Sequence, residues 1–330
     1  MSFNVSNYEI IGTGVSWSQV LRNGKPYVTV SPVVTSISGA DYGPDTPGTT
    51  TSGIQEAIYS GYNVKLLPGV FIVSSTINLV PNIEVCGTGL QRIIGGAGDT
   101  TPTNPFSQVK NASGFTGSIW STNAPTTGTS VNQMNIYLHD ITSSTSSTTA
   151  PVYNLNNSDT CVYERLFANG GSIGFQVGYN NTSSAPSDVQ VPGASWLSHC
   201  KSSNATQYGF YFQSLTQMKI DSLYVAGPIT KPAVGFGLEG INTSQLNNLL
   251  AQNYTQTGMD INHFLYPDGS KSSTFDVYIG GAHLVGGSGI TGLNGNNINP
   301  TQAVLINGLH VSTNGFPVVN ATNLKIFAQA

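Results

Sequence analysis

The stretch SHCKSSNATQYGFYF, Ser198 to Phe212, decides how this chain is read. A polar, almost featureless run ends in a glycine followed by three aromatics. Related text stands upstream as YERLFANGGSIGFQV, from Tyr163, and near the C-terminus as INGLHVSTNGFPV, from Ile306. The shared element is Gly, then apolar-x-apolar. It reads GFQV at Gly174, GFYF at Gly209, GFGL at Gly235 and GMDI at Gly258, more loosely GITGL at Gly289, and again GFPV at Gly315. The intervals are 35, 26, 23, 31 and 26 residues. A second element precedes each glycine: apolar, two small or polar residues, apolar. It reads LHDI at Leu138, YERL at Tyr163, LSHC at Leu197, IDSL at Ile220, QLNNLL around Leu246 and INGL at Ile306. In VYIGGAHL, at Val277, one extra residue suggests a bulge or a longer corner.

Alternation of period two marks strands with one buried face. Strands of about three to five residues are too short to stand alone. Stacked turns of chain let each pair with the turn above and below. The pattern therefore predicts an all-β fold, a parallel β-solenoid of about ten coils and, at about 4.8 Å per layer, a rod near 50 Å long. Phe175, Phe210, Phe236 and Phe316 are expected along its axis, with Phe212 also buried and Gly209 making the corner into its strand. A β-sandwich with irregular turns would not explain why the paired signature returns in phase. The Ser/Thr/Pro/Gly-rich stretches 97–118, 142–151 and 181–194 read as loops leaving the solenoid.

Only 8% of the 330 residues are charged, against roughly 25% in ordinary soluble domains. The 38% hydrophobic content and 9% aromatics support a core rather than disorder. A net charge of −4 gives no footprint for nucleic acid, and no apolar run is long enough to enter a membrane. The opening MSFNVSNYEI lacks the pattern of a signal peptide, so either the mature chain starts here or export uses another route, such as release with a particle. So few ion pairs also suggest tolerance of acid. Cys86 and Cys161 sit beside an apolar residue or glycine, Cys200 stands between His199 and Lys201, and all three read as buried thiols. Nine Asn-x-Ser/Thr sites occur, but about seven are expected by chance, so they do not argue for glycosylation.

The most specific text spans 37–90. Ser52 and Gln55 fit a capping box, and Ile54, Ala57 and Ile58 form a short apolar helix face. Such a helix can block the open end of a solenoid. Gly39-Ala40-Asp41, then Ile54-Gln55-Glu56-Ala57-Ile58, then Leu67-Pro68-Gly69-Val70-Phe71 resembles the opening of pectate-lyase-like right-handed parallel β-helices, especially viral tailspikes and polysaccharide depolymerases. The acidic run of many relatives is only partly present, as Asp41-Tyr42-Gly43 and Asp45-Thr46, and Pro68 and Gly69 are adjacent rather than separated. The resemblance implies a single-stranded, right-handed β-helix over 37–330 with an N-terminal capping helix. It also implies a homotrimer on a virion or other extracellular surface. Residues 1–36, with PYVTVSPVVTSI and Trp17, are expected either to attach the rod to other particle proteins or to pack on it.

Stacking should place equivalent residues of successive coils in columns. The first polar slot of the corner reads His139, Glu164, Ser198, Asp221, Asn247 and Asn307; the second reads Asp140, Arg165, His199, Ser222, Asn248 and Gly308. Glu164 and Asp221 then stand two layers, about 9–10 Å, apart, near the separation of an inverting glycosidase pair, with His199 as a proton carrier beside them. The same residues also suit a ladder bonded to backbone groups at the corners. Tyr163, Tyr208, Tyr211, Tyr224 and Tyr254 are candidates to stack on sugar rings. The scattered histidines show no zinc spacing and the carboxylates no calcium cluster, so neither a metal site nor a cofactor is expected. GFGLEG at Gly235 has the letters of a dinucleotide loop but no following helix. Two functions stay open: a spike that recognises cell-surface polysaccharide or glycoprotein glycans, and a glycoside hydrolase acting on such a polymer. A metal-dependent lyase is disfavoured.

Overall fold

The computed structural model describes residues 8–10, 20–22, 26–89, 106–122, 133–178, 193–227, 229–266, 269, 271–272, 274–286, 290–296, 304–312, 318–322 and 324–328. The chain is a right-handed parallel β-helix. Each coil has three faces. The long strand Ile136–Ser144, for instance, crosses from the first face to the second, and Tyr153–Asn156 then lies on the third. The next coil repeats this as Val162–Asn169 and Ile173–Gly178, in parallel register with the coil before.

The apolar-polar-polar-apolar motif is the corner between the first two faces. Leu138, Tyr163, Leu197, Ile220, Leu246, Ile279 and Ile306 stack in register and are buried. The second polar slot is held in the left-handed region in coil after coil: φ is 59° at Asp140, 48° at Arg165, 53° at His199, 55° at Ser222, 54° at Asn248, 82° at Gly281 and 75° at Gly308. One left-handed residue breaks the in-out alternation, so two successive polar side chains face outward before an apolar one turns in again. The strain is of order 1–2 kcal/mol per residue and is offset by ladders on both sides. Ile279-Gly280-Gly281-Ala282 aligns one-for-one with Leu246-Asn247-Asn248-Leu249. The expected bulge is therefore absent; small residues there had disguised an ordinary corner.

The third face carries the aromatic axis. The rings of Tyr153, Phe175, Phe210 and Phe236 stack with centroids 4.7, 4.8 and 5.6 Å apart. Met259 and Leu293 continue that column, and the backbone of Val318 is the ladder partner of Leu293. Phe316, expected on the same axis, lies outside the described residues. The repeat glycine of that penultimate coil is Gly292, beside Leu293, rather than Gly289.

The repeat glycines serve space, not an unusual φ. A Cβ on Gly174 would lie 2.1 Å from Ser202 Oγ and 2.6 Å from the Gly209 carbonyl oxygen; one on Gly209 would lie 2.5 Å from Val225. These glycines sit inside third-face strands where the inward side chains of the second face press closest. That corrects the expectation that Gly209 forms the corner.

The helix Ile54–Tyr59 closes the end of the rod, with Ile54, Ala57 and Ile58 buried. The capping box does not form: Gly53 is the N-cap, and Ser52 donates its hydroxyl to the Ile72 carbonyl at 2.7 Å. Gln55 instead bonds the backbone of Asn78 twice, accepting its N–H at 2.7 Å and donating to its carbonyl at 3.0 Å. A side-chain amide thus mimics the missing neighbouring strand. The ladder starts at Tyr27–Val30, paired with Asn63–Leu66, inside the segment expected to attach or pack; Trp17 lies outside the described residues. Cys86, Cys161 and Cys200 are buried thiols. No helix among the described residues is long and apolar enough to cross a membrane.

Candidate functional site

The first corner column assembles as expected. Cys86, His139, Glu164, Ser198, Asp221, Asn247, Gly280 and Asn307 are successive partners on the outer side of the first face. Glu164 and Asp221 stand two layers apart with Ser198 between them. Their chemistry differs from an acid–base pair poised over water. Glu164 is tied to Arg165 Nη1 at 2.6 Å and accepts from the Tyr137 hydroxyl at 2.9 Å. Asp221 accepts from Asn248 Nδ2 at 2.9 Å and Ser222 Oγ at 3.1 Å. His199 is exposed, and its backbone N–H bonds the Asp221 carbonyl. These side-chain bonds run between neighbouring polar side chains, not to backbone groups as the ladder reading expected.

Below Asp221 the corner opens into a groove of about 570 Å³ between Asn247, Asn248, Tyr278 and Asn307. Gly280 and Gly281 make the recess: a Cβ on Gly280 would lie 2.5 Å from Asn247 Oδ1. The groove offers amides and one phenol. Its single carboxylate, Asp221, is engaged already.

The five tyrosines divide by the face they stand on. Tyr163 occupies the inward column between Leu138 and Leu197 and is fully buried, so it cannot meet a sugar. Tyr254 is also buried; its ring fills the space beside Gly258 and Gly286. Both are corrected to core residues. Tyr224 faces outward on the second face, covered by the Lys201 ammonium 4.9 Å from its ring centre, with its hydroxyl bonded to Gln252 at 2.9 Å. Tyr208 and Tyr211 come together on the third face, with rings stacked 4.5 Å apart at 24°.

That pair marks a site that motif reading missed. The outward positions next to Phe210, Phe236 and Met259 are Tyr211, Gly237 and Asp260, followed by Asn294. Gly237 makes room for both tyrosines: a Cβ there would lie 2.8 Å from Tyr208 Cε1 and 2.9 Å from Tyr211 Cδ2. Glu239 stands two residues further along the same strand. Strand spacing and rise put its Cα about 8 Å from that of Asp260 in the next coil. The Tyr211 hydroxyl donates to Glu239 Oε2 at 2.6 Å, and Asn294 Nδ2 donates to Asp260 Oδ1 at 2.6 Å.

Electrostatics sets these carboxyls apart. Burial pushes the Glu239 carboxyl above its ordinary range and the Asp260 charge adds to this, against the lowering effect of the Tyr211 bond. Burial also raises Asp260, against its bond from Asn294. Burial and then the Glu239 charge raise the Tyr211 phenol. Such an arrangement can hold one carboxyl protonated beside one ionised. A two-strand antiparallel hairpin, Phe264–Leu265 with Lys271–Ser272, leaves the coil just beyond Asn262, and Tyr266 ties it back to Ser214 at 2.6 Å. The signal that could have found part of the site is the "x" of Gly-apolar-x-apolar, which is Tyr211 in one coil and Asp260 in another.

No protein-family model and no curated protein matches the chain. Solved structures do. An N-terminal fragment of gene product 12 of bacteriophage phi29 superposes with a TM-score of 0.55 at 16% identity, over 89% of this chain and 53% of that one. The chain shares its fold with solved phage tailspikes. The enzymatically active domain of tailspike protein 2 of bacteriophage CBA120 gives 0.51 at 11% identity, over 94% of this chain and 47% of that one. The phiAB6 tailspike, solved with oligosaccharides of Acinetobacter baumannii surface polysaccharide, gives 0.52 at 10% identity, over 87% and 48%. The chain spans about half the length of these structures.

Proposed function

We propose that this chain is the glycan-recognising body of a virion-surface spike, and that the glycan lies on the outer side of the third face. The observation that carries this reading is the Tyr208–Tyr211 stack beside Glu239 and Asp260. Half-buried aromatic faces suit the apolar faces of sugar rings, and the carboxylates and the Asn294 amide suit hydroxyls. The phiAB6 neighbour, solved with surface-polysaccharide oligosaccharides, supports the ligand class. Attachment through residues 1–36 and assembly as a trimer belong to the same reading.

A hydrolytic version has its own support in the two raised carboxyls. The protonated one would give a proton to the glycosidic oxygen, and the ionised one would activate water or attack the sugar carbon. The enzymatically active CBA120 domain supports this version. Glu239 and Asp260 suit it better than Glu164 and Asp221, because burial raises both of them whereas Glu164 is held by the Arg165 guanidinium.

Binding to bacterial surface polysaccharides, followed by reducing-end release, tests both versions. Tyr211→Ala is expected to weaken binding at least tenfold. Glu239→Gln and Asp260→Asn are expected to bind but release nothing if the protein cuts. Unchanged binding in Tyr211→Ala and Tyr208→Ala would remove the site.

A further inference from the structure

At the other end of the first face, Glu84, Cys86 and His139 present a carboxylate, a thiol and an imidazole within 4.8 Å of one another. Cys86 is the ladder partner of His139, and Glu84 that of Tyr137, so the three donors come from two adjacent coils. All three are largely shielded: the side chains of His139 and Glu84 are 13% and 7% exposed, and Cys86 is buried.

The surroundings orient each donor. His139 Nδ1 meets Asp140 Oδ2 at 2.6 Å, and Arg165 grips Asp140 twice, through Nε at 2.7 Å and Nη2 at 2.8 Å. Tyr27 donates its hydroxyl to Glu84 Oε2. That leaves Glu84 Oε1 facing His139 Nε2 at 2.9 Å. Where Nδ1 carries the single ring proton and gives it to Asp140, Nε2 and Oε1 are two acceptors pointed at one another. Only a proton or a metal cation can join them. A carboxylate behind a histidine, itself clamped, is the outer shell that metal-ligating histidines carry.

The geometry points to a zinc site formed by Glu84, Cys86 and His139, with water completing a tetrahedron. Thiolate with imidazole favours Zn²⁺ over Mg²⁺ or Ca²⁺. At bond lengths near 2.0–2.3 Å, ligand atoms lie roughly 3.3–3.7 Å apart, so small side-chain shifts close the site. Zinc here pins two coils that are neighbours in space but separated in sequence by residues 87–138. Its role is to staple the rod where the chain makes its longest excursion. The donors lie on the first face, apart from Tyr211 and Glu239 on the third.

Chelator-stripped protein titrated with Co²⁺ is expected to develop a thiolate-to-cobalt charge-transfer band in the near ultraviolet. The band should saturate at one cobalt per chain and vanish when Zn²⁺ is added. Zn²⁺ should raise the melting temperature by about 5 °C. Cys86→Ser should lose both effects and Cys161→Ser should keep them. No band, or a band that survives Cys86→Ser, overturns the site. If Cys86→Ser does not fold, maleimide labelling of the wild-type chain with peptide mapping decides. Zinc must slow labelling of Cys86 more than labelling of Cys161 and Cys200, and a Cys86 protected no more than they are overturns the site equally.

Discussion

Phe175 and Phe210 lie one directly beneath the other, ring centres 4.8 Å apart and planes 5° from parallel. Their separation is the spacing between β-strands, so ring stacking and backbone pairing reinforce each other in one direction. Both rings are fully buried. Phe210 has Phe236 on its other side, so truncation opens a void between two rings that the backbone holds in place. Phe210→Ala is expected to cost about 3–5 kcal/mol. Phe210→Leu should cost roughly half that. Urea unfolding of the two variants measures it; a loss below 1 kcal/mol for the alanine variant would show that the column does not hold the coils together.

The glycines divide into two kinds, and substitutions separate them. At Gly174 a Cβ collides with Ser202 and with the backbone of the next coil. Gly174→Ala should therefore destabilise by about 3 kcal/mol, as overpacking does. At Gly281 the nearest atom to a Cβ is 3.7 Å away, and the strain lies only in its φ of 82°. The equivalent residue one coil earlier is Asn248, at φ 54°. Asparagine tolerates this region, so Gly281→Asn should change stability by less than about 1 kcal/mol. Thermal unfolding of both variants tests the distinction.

This contrast shows what the linear text revealed and what it withheld. Coils were legible because burial imposes alternation, and the corner was legible because one left-handed residue per coil leaves a fixed four-residue signature. The corner columns of Glu164 and Asp221 followed from that register. Spacing alone did not show which glycines yield room to a side chain from another face. It also did not place Tyr163 inside, although its slot is the one Leu138 and Leu197 occupy. Glu239 and Asp260 belong to separate coils and meet only once the third-face ladder is aligned. Cys86 and His139 are brought together across residues 87–138, an interval unlike that of the other coils.

Gln55 tests how the rod is closed. Its amide satisfies both backbone groups of Asn78, at the edge where a further coil would otherwise pair. Gln55→Ala should cost about 1–3 kcal/mol, the net worth of two such bonds together with the polar groups left unpaired. The exposed edge should also favour end-to-end association. Unfolding midpoints give the first effect, and light scattering at rising concentration the second. A variant that is both as stable and as monodisperse as the parent would mean that the apolar side of the helix alone shields the end.

The last prediction concerns acid. Glu239 and Asp260 have folded pKa values above their ordinary ones, so the folded protein holds more protons than the unfolded chain between the ordinary carboxyl range and the raised values. Stability from these groups is therefore present in acid and lost as pH rises through the raised values. Lowering the pH from neutral toward the ordinary carboxyl range should strengthen their contribution. Glu239→Gln carries no charge at any pH, so it should flatten this part of the profile and be no less stable than the parent at neutral pH. Tyr211→Phe removes the bond that lowers the Glu239 pKa, so its window should extend to higher pH. Urea midpoints measured across that range for the parent, Glu239→Gln and Tyr211→Phe give the three slopes. Parallel profiles would show that the two carboxyls do not sense each other, and the acid–base pair would lose its physical basis.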